Sequence, residues 1–171
     1  MPATRDDLLK RLAALGISSE TRDHAPVFTV DEARRLRGEI AGGHCKNLFL
    51  RDEKGALYLV VCLEDARVDL KSLPGKIGSR RLSFGKPELL MEALGVEPGS
   101  VTPFAVINDS ARRVAVILDA PMMEEAILNY HPLRNDATTS LGSGDLVAFI
   151  RATGHEPRVL AVSEPQLQSP R

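Results

Sequence analysis

The run Leu57-Tyr58-Leu59-Val60-Val61-Cys62-Leu63 constrains the fold more than any other stretch of this chain. A strand with one wet face alternates apolar and polar residues. This run does not alternate, so both of its faces are covered and it lies inside a sheet. Asn47–Arg51 is a second strand-length segment, and the turn residues Asp52-Glu53-Lys54-Gly55 separate it from Ala56–Leu63. Together they predict a β-hairpin whose second strand is central. Cys62, enclosed by apolar neighbours, reads as a small core hydrophobe. A central strand needs partners on both edges and packed layers on both faces. The rest of the chain intersperses helical patterns with strand-like runs, so the fold class expected is α+β, with a mixed, curled or barrel-like sheet and helices packed outside.

Ahead of the hairpin stands Gly42-Gly43-His44-Cys45-Lys46, which reads as a mobile glycine loop feeding a buried strand. A lysine at that junction lays its stem on apolar surface and holds its ammonium at the mouth of a cavity. The plainer reading is a glycine turn with an exposed lysine.

Thr4 and Asp7 form a capping-box pattern before Leu8, Leu9, Leu12 and Leu15, with a stop at Gly16, which predicts an amphipathic helix. Ile17–Val27 is polar and irregular, with room for one edge strand. Thr29 and Glu32 repeat the capping-box spacing before a short helix that ends near Gly38. Pro87 and Gly95 bracket another helix containing Leu89, Leu90, Met91 and Leu94. Phe104–Ile107 and Val114–Leu118 read as a second hairpin joined through Asn108-Asp109-Ser110. Pro121–Leu128 fits either a helical turn or a strand. Pro132 keeps His131 out of the α region. Thr138–Leu141 fits a strand, Ser143 fits the cap of a helix over Asp145–Thr153, and Val159–Val162 fits a last strand. A chain of 171 residues suits a single domain, taken as 1–162, with 163–171 reading as a disordered tail.

Charge narrows the function. Lys and Arg total 22 against 23 Asp and Glu, a net charge of −1, which argues against a protein that coats nucleic acid through many phosphate contacts. One basic run stands out, with Arg67, Lys71, Lys76, Arg80, Arg81 and Lys86 opposed only by Asp69. It reads equally as a solvated face or as a local phosphate-binding surface. No apolar run reaches the length of a membrane span, and the acidic N-terminus lacks the apolar core of a signal peptide, so a cytoplasmic protein with no membrane contact is expected. Two cysteines far apart, Cys45 and Cys62, read as free thiols.

The chain lacks a P-loop, a dinucleotide fingerprint, His-Glu-x-x-His and Gly-x-Ser-x-Gly. His24, His44, His131 and His155 have no ligand spacing, so neither metal nor cofactor is expected. His44 and Cys45 are neighbours, but on extended backbone neighbours point to opposite sides, which counts against a thiol dyad. What remains is Lys46, Asn47, the amide-rich loop Gly99-Ser100-Val101-Thr102-Pro103 and a histidine followed by proline. That set can hold a polar ester and stabilise an oxyanion with water as nucleophile, and it serves simple binding equally well.

Four segments, in order, resemble the YbaK/prolyl-tRNA-synthetase-associated editing family over about Val27 to His155, and within it the ProX group of free-standing alanyl-tRNA(Pro) deacylases. They are Gly42–Leu50, Arg81–Gly85, Gly99–Phe104, and His131-Pro132-Leu133 leading into Asn135–Thr139. The resemblance implies a trans-editing hydrolase that deacylates mischarged tRNA(Pro), with Ala-tRNA(Pro) as substrate and occasional contact with prolyl-tRNA synthetase. It implies that Lys46 is the essential lysine, holding the terminal phosphate or the ester, with Asn47 beside it. Gly99, Ser100, Val101, Thr102 and Pro103 would wall the aminoacyl pocket, and His131 would line it. Lys71, Lys76, Arg80 and Arg81 would meet the acceptor stem. Cys45 stands where this group more often has threonine. A synthetase pocket for proline cannot strongly exclude alanine, because missing methylenes cost only about 1–3 kcal/mol, so a second pocket that admits alanine and refuses proline supplies the discrimination. Serine or cysteine on the same tRNA is the alternative substrate, and a noncatalytic tRNA- or synthetase-binding module is the alternative class.

Overall fold

The structure, a computed structural model, describes residues 1–26, Arg35 and residues 40–165. The helix expected between Thr29 and Gly38 lies outside the described residues.

The hairpin is present as β2 (Gly43–Asp52) and β3 (Leu57–Leu63), antiparallel with Asn47 opposite Val61 and Arg51 opposite Leu57. Its turn is held by the Asp52 carboxylate, which accepts the N–H groups of Lys54 and Ala56 at 2.9 Å. β2 starts earlier than its composition suggests. Gly43, His44, Cys45 and Lys46 already belong to it, and only Gly42, at φ +103, makes the turn. The other strands are β1 (Ser19–Asp23), β4 (Leu82–Phe84), β5 (Val114–Asp119), β6 (Ile127–Tyr130), β7 (Ala137–Gly142) and β8 (Arg158–Leu160). They form one mixed sheet in the order β1-β7-β6-β2-β3-β5-β8, with β4 paired to β2. Its path is open, because β1 and β8 end it without meeting among the described residues.

β3 is central, as its composition requires, with Leu59, Val60, Val61 and Cys62 all at 0% exposure. One face carries the main core, where α1 (Arg5–Ala14), α3 (Pro87–Leu94) and α4 (Ser143–Ala152) supply Leu8, Leu94 and Phe149. Phe104 meets Phe149 and Tyr130 edge-on, with ring centroids 5.4 and 6.0 Å apart. The other face carries a smaller cluster in which Leu50, Val60 and Ile117 pack on Leu73 and Ile77 of the short helix α2 (Leu73–Ile77). The capping box of α1 and the Pro87–Gly95 bracket of α3 form as predicted.

The second hairpin does not form. Phe104–Ile107 lies in a 3₁₀ segment, Pro103–Asn108, and β5 pairs in parallel with β3 and β8. Local caps outweigh the strand-favouring side chains. The Thr102 hydroxyl oxygen accepts the Phe104 N–H at 3.3 Å, Pro103 sets φ at the first position, and the Asp109 carboxylate accepts the N–H groups of Arg113 and Val114. Pro121–Leu128 contains both readings, a 3₁₀ turn at Met122–Glu124 and then β6. Ser143 is the first residue of α4, and Gly142 takes the cap position without a side-chain bond. In the segment expected as a tail, Ser163 and Glu164 still donate backbone hydrogen bonds, to Asp119 and to the Arg67 carbonyl. Residues 166–171 lie outside the description.

Candidate active site

The pairing of β2 leaves a gap. On one edge, β6 pairs only with Gly43 and His44, while β4 pairs with Leu50, Arg51 and Asp52, and Gly85 donates to the Phe49 carbonyl at 2.9 Å. Between them, Cys45–Leu48 has no strand on that side among the described residues. Main-chain groups left without a ladder partner take water or a ligand. Lys46 and Asn47 lie in this gap.

Its start is fixed by Asn129. The carboxamide nitrogen donates to the carbonyls of Ala41 and Gly43 at 3.1 Å, and Ser140 donates its hydroxyl to the carboxamide oxygen. A side chain at Gly42 would meet Asn129 and Ile127 at 3.0 Å as well as needing positive φ, so glycine is demanded twice.

Lys46 and Asn47 are strand neighbours and project to opposite faces. Lys46 shares the face of Leu48 and Leu50 and stands opposite Cys62, with its ammonium donating to the Ala66 carbonyl. Ala66 helps to line a cavity of about 690 Å³ at the end of the sheet, with Gly42, Gly43, His44, Glu64 and Ser163 also in its walls. Asn47 projects to the side of Cys45 and Phe49, and its carboxamide oxygen is buried without a partner among the described residues. A buried acceptor left open in this way costs about 1–3 kcal/mol, which a fold tolerates where a ligand completes the bond.

The 99–103 loop lies on the main-core side. Pro98–Ser100 is a 3₁₀ turn, Val101 packs on the core, and Ser100, Thr102 and Pro103 are buried. A Cβ at Gly99 would lie 3.4 Å from the Asn135 carboxamide, so this loop meets the turn that follows His131. That turn is tight, with Leu133 at φ +70 and its side chain in the core. His131 Nδ1 donates to the Ala137 carbonyl at 2.9 Å, which leaves Nε2 as the acceptor of the neutral ring, and burial pushes its pKa down. Sequence reasoning passed over two neighbours. His24 faces His131 with ring centroids 6.3 Å apart and bonds Thr138, and Asn129 pins the start of β2. Neither carries a local signal, because both contacts join segments far apart in the chain.

The two thiols are inert. Burial pushes Cys45 up to about 12 and Cys62 up to about 11, so neither supplies thiolate at neutral pH. Among the proposed tRNA contacts, Lys71, Arg80 and Arg81 are exposed. Lys76 already serves the Val162 carbonyl at 3.3 Å and Glu164 at 3.2 Å. Arg81 leads into β4, which pairs with Asp52, six residues along β2 from Lys46 and so roughly 20 Å away. The structure thus joins the 99–103 loop to the His131 turn, sets Lys46 and Asn47 on the two faces of one open strand segment, and holds the arginines at the far end of that strand.

The sequence matches the aminoacyl-tRNA editing domain over residues 24–149. Prolyl-tRNA editing protein ProX of Acetoanaerobium sticklandii is 38% identical over 149 residues, covering 86% of this chain and 91% of that protein. Prolyl-tRNA synthetase associated domain-containing protein 1 of Mus musculus is 37% identical over 162 residues, covering 91% of this chain and 95% of that one. A solved structure described as a candidate trans-editing enzyme for prolyl tRNA synthetase superposes with a TM-score of 0.69 at 21% identity, over 96% of this chain and 100% of that one, a likeness of fold. No described helix is long and apolar enough to cross a membrane. By domain match and by relatives aligned along most of its length, this chain belongs to the aminoacyl-tRNA editing domain family.

Proposed function

We propose that this editing domain hydrolyses mischarged tRNA(Pro), and that its substrate is Ala-tRNA(Pro). The observation that carries the reading is the open segment Cys45–Leu48, which presents Lys46 on one face and the unpartnered Asn47 carboxamide on the other. An ester laid along this segment meets an ammonium, a carboxamide and unpaired main-chain groups within one strand's width. Lys46 holds the 3′-terminal phosphate or polarises the ester carbonyl. The amides of Gly99, Val101 and Thr102 stabilise the oxyanion as water adds, the Ser100 N–H being held by the Glu97 carbonyl, and the adjacent ribose oxygen leaves with a proton as the ester bond breaks. Neutral His131 lines the aminoacyl pocket and offers Nε2 as an acceptor, and Pro103 with Val101 sets the wall that refuses proline. Exposed Lys71, Arg80 and Arg81 meet the acceptor stem, with Lys76 contributing least because Glu164 already holds it. Residues 1–162 act as one domain in the cytoplasm, with prolyl-tRNA synthetase as a transient partner.

The test is deacylation of Ala-, Pro-, Ser- and Cys-tRNA(Pro) by the wild type and by Lys46→Ala. Fast release of alanine, sparing of proline and a dead variant support the proposal. Selective release of serine or cysteine moves the substrate. Binding of tRNA without hydrolysis of any ester overturns the catalytic reading.

A further inference from the structure

One buried group at the end of the sheet has no explanation in the packing around it. Asp119, the last residue of β5, is 0% exposed. Its Oδ1 accepts the N–H groups of Val162 at 2.9 Å and Ser163 at 3.2 Å, while Oδ2 is buried and accepts nothing from the described residues. One oxygen holds the chain after β8, a task an amide oxygen performs equally well, so the second oxygen and the charge have no part in that clamp.

Register shows which residues share its face of the sheet. Lys46 on β2 stands opposite Cys62 on β3, and Val61 pairs with Leu118, which sets Cys62 beside Asp119. Residues in register share a face. Lys46, Cys62 and Asp119 therefore form one row across three strands, with the outer Cα atoms roughly 10 Å apart. Both charges act on the thiol between them: burial raises Cys62 most, Lys46 opposes that rise and Asp119 adds to it. Each side chain is also bonded to a residue of the same cavity wall, Lys46 to the Ala66 carbonyl and Asp119 to the Ser163 N–H. Other titratable and charged groups at this end are His44 on β2, Glu64 and Asp65 after β3, Glu125 ahead of β6, and Glu164, which Lys76 holds.

We propose that Asp119 is the positioning residue for Lys46, a buried counter-charge that holds the lysine stem over Cys62 and its ammonium at the wall of the cavity. This rests on Lys46 acting in hydrolysis, as proposed above. Asp119 touches no substrate. It fixes where the ammonium waits, so its removal lowers turnover and leaves tRNA affinity intact.

The test is Asp119→Asn, which keeps an oxygen for Val162 and Ser163 and removes the charge. With a melting temperature that shows a folded variant, kcat on Ala-tRNA(Pro) is expected to fall about tenfold, with KM within about twofold. The ¹⁵N–¹H ammonium signal of Lys46, ordered in the wild type, is expected to become disordered while the other lysine signals stay in place. An unchanged Lys46 signal and unchanged kcat would overturn the proposal and leave Asp119 as a clamp on residues 162 and 163. Should Asp119→Asn fail to fold, Lys46→Met supplies the reciprocal measurement. The side-chain carboxyl ¹³C signal of Asp119 must then move, and a stationary signal overturns the proposal equally. If Lys46→Ala retains full activity, the role of Lys46 fails, whereas the ammonium signal still reports whether Asp119 orders it.

Discussion

Two buried carboxylates, Asp109 and Asp119, stand at opposite ends of β5 and differ in one respect. Asp109 is fully engaged. Its Oδ1 accepts the Arg113 N–H at 3.0 Å, and Oδ2 accepts the Val114 N–H at 2.9 Å and bonds His155 Nε2 at 2.8 Å. His155 in turn bonds the Thr153 hydroxyl at 2.9 Å, which ties the end of α4 to the start of β5. Asp119 has a full complement on one oxygen and nothing on the other. Asn47, two strands away, is left open in the same way. A completed polar network specifies a fold, and an incomplete one marks a group whose role lies outside the packing around it.

This contrast can be broken by experiment. The largest effect is expected at Lys46, where substitution by alanine should lower kcat/KM for Ala-tRNA(Pro) by about 10²–10³ while leaving the melting temperature within a few degrees. Asp109→Ala should do the reverse. It strands two N–H groups and a ring nitrogen, so unfolding free energy should fall by about 3 kcal/mol in a denaturant titration, with activity per folded molecule retained. If Asp109→Ala instead folds normally and loses activity, the division into a structural and a functional carboxylate is wrong. Asn47→Val tests the cost of incompleteness. Removing the buried open acceptor should raise stability by about 1 kcal/mol and lower kcat about tenfold.

A smaller effect follows from His131. Burial holds its folded pKa below the ordinary value, so the unfolded chain binds the extra proton first as pH falls. The stability it contributes is complete above about pH 6.5 and is lost as pH drops through its lowered folded value. Melting curves of the wild type and His131→Asn between pH 7.5 and about 5 should converge toward the acid end by part of a kcal/mol. The smallest effect separates the basic residues. Arg80→Ala and Arg81→Ala should each lower the salt dependence of tRNA binding by about one unit of slope, and Lys76→Ala should barely change it because Glu164 already holds that ammonium.

Which parts were legible in the chain follows from the range of the forces that set them. The hairpin, the capping box at Thr4 and the Pro87–Gly95 helix are fixed by neighbours within a few residues, and the sequence displays them. Phe104–Ile107 misleads because its side chains favour a strand while the caps at Thr102 and Asp109 decide otherwise. The gap at Cys45–Leu48 is invisible in sequence. It exists because β6 stops pairing at His44 and β4 begins at Leu50, and both partners arrive from distant segments. Lys46, Asn47, the 99–103 loop and His131 could be named from their residue types and the family resemblance. That Lys46 and Asn47 take opposite faces follows from strand alternation, but only once β2 is known to begin at Gly43.

The recessed gap has one more consequence. An ordinary sheet edge is a docking strip on which a neighbouring molecule can zip its own strand, and proteins guard such edges against aggregation. Here, among the described residues, the unpaired main chain is a slot roughly 13 Å long, closed at one end by β6 and at the other by β4. A foreign strand of usual length collides with both before it can pair, whereas a group no longer than the slot can lie between them. The proposed ester site would therefore offer backbone to a ligand without offering it to copies of the same molecule, guarded by the shortness of the slot.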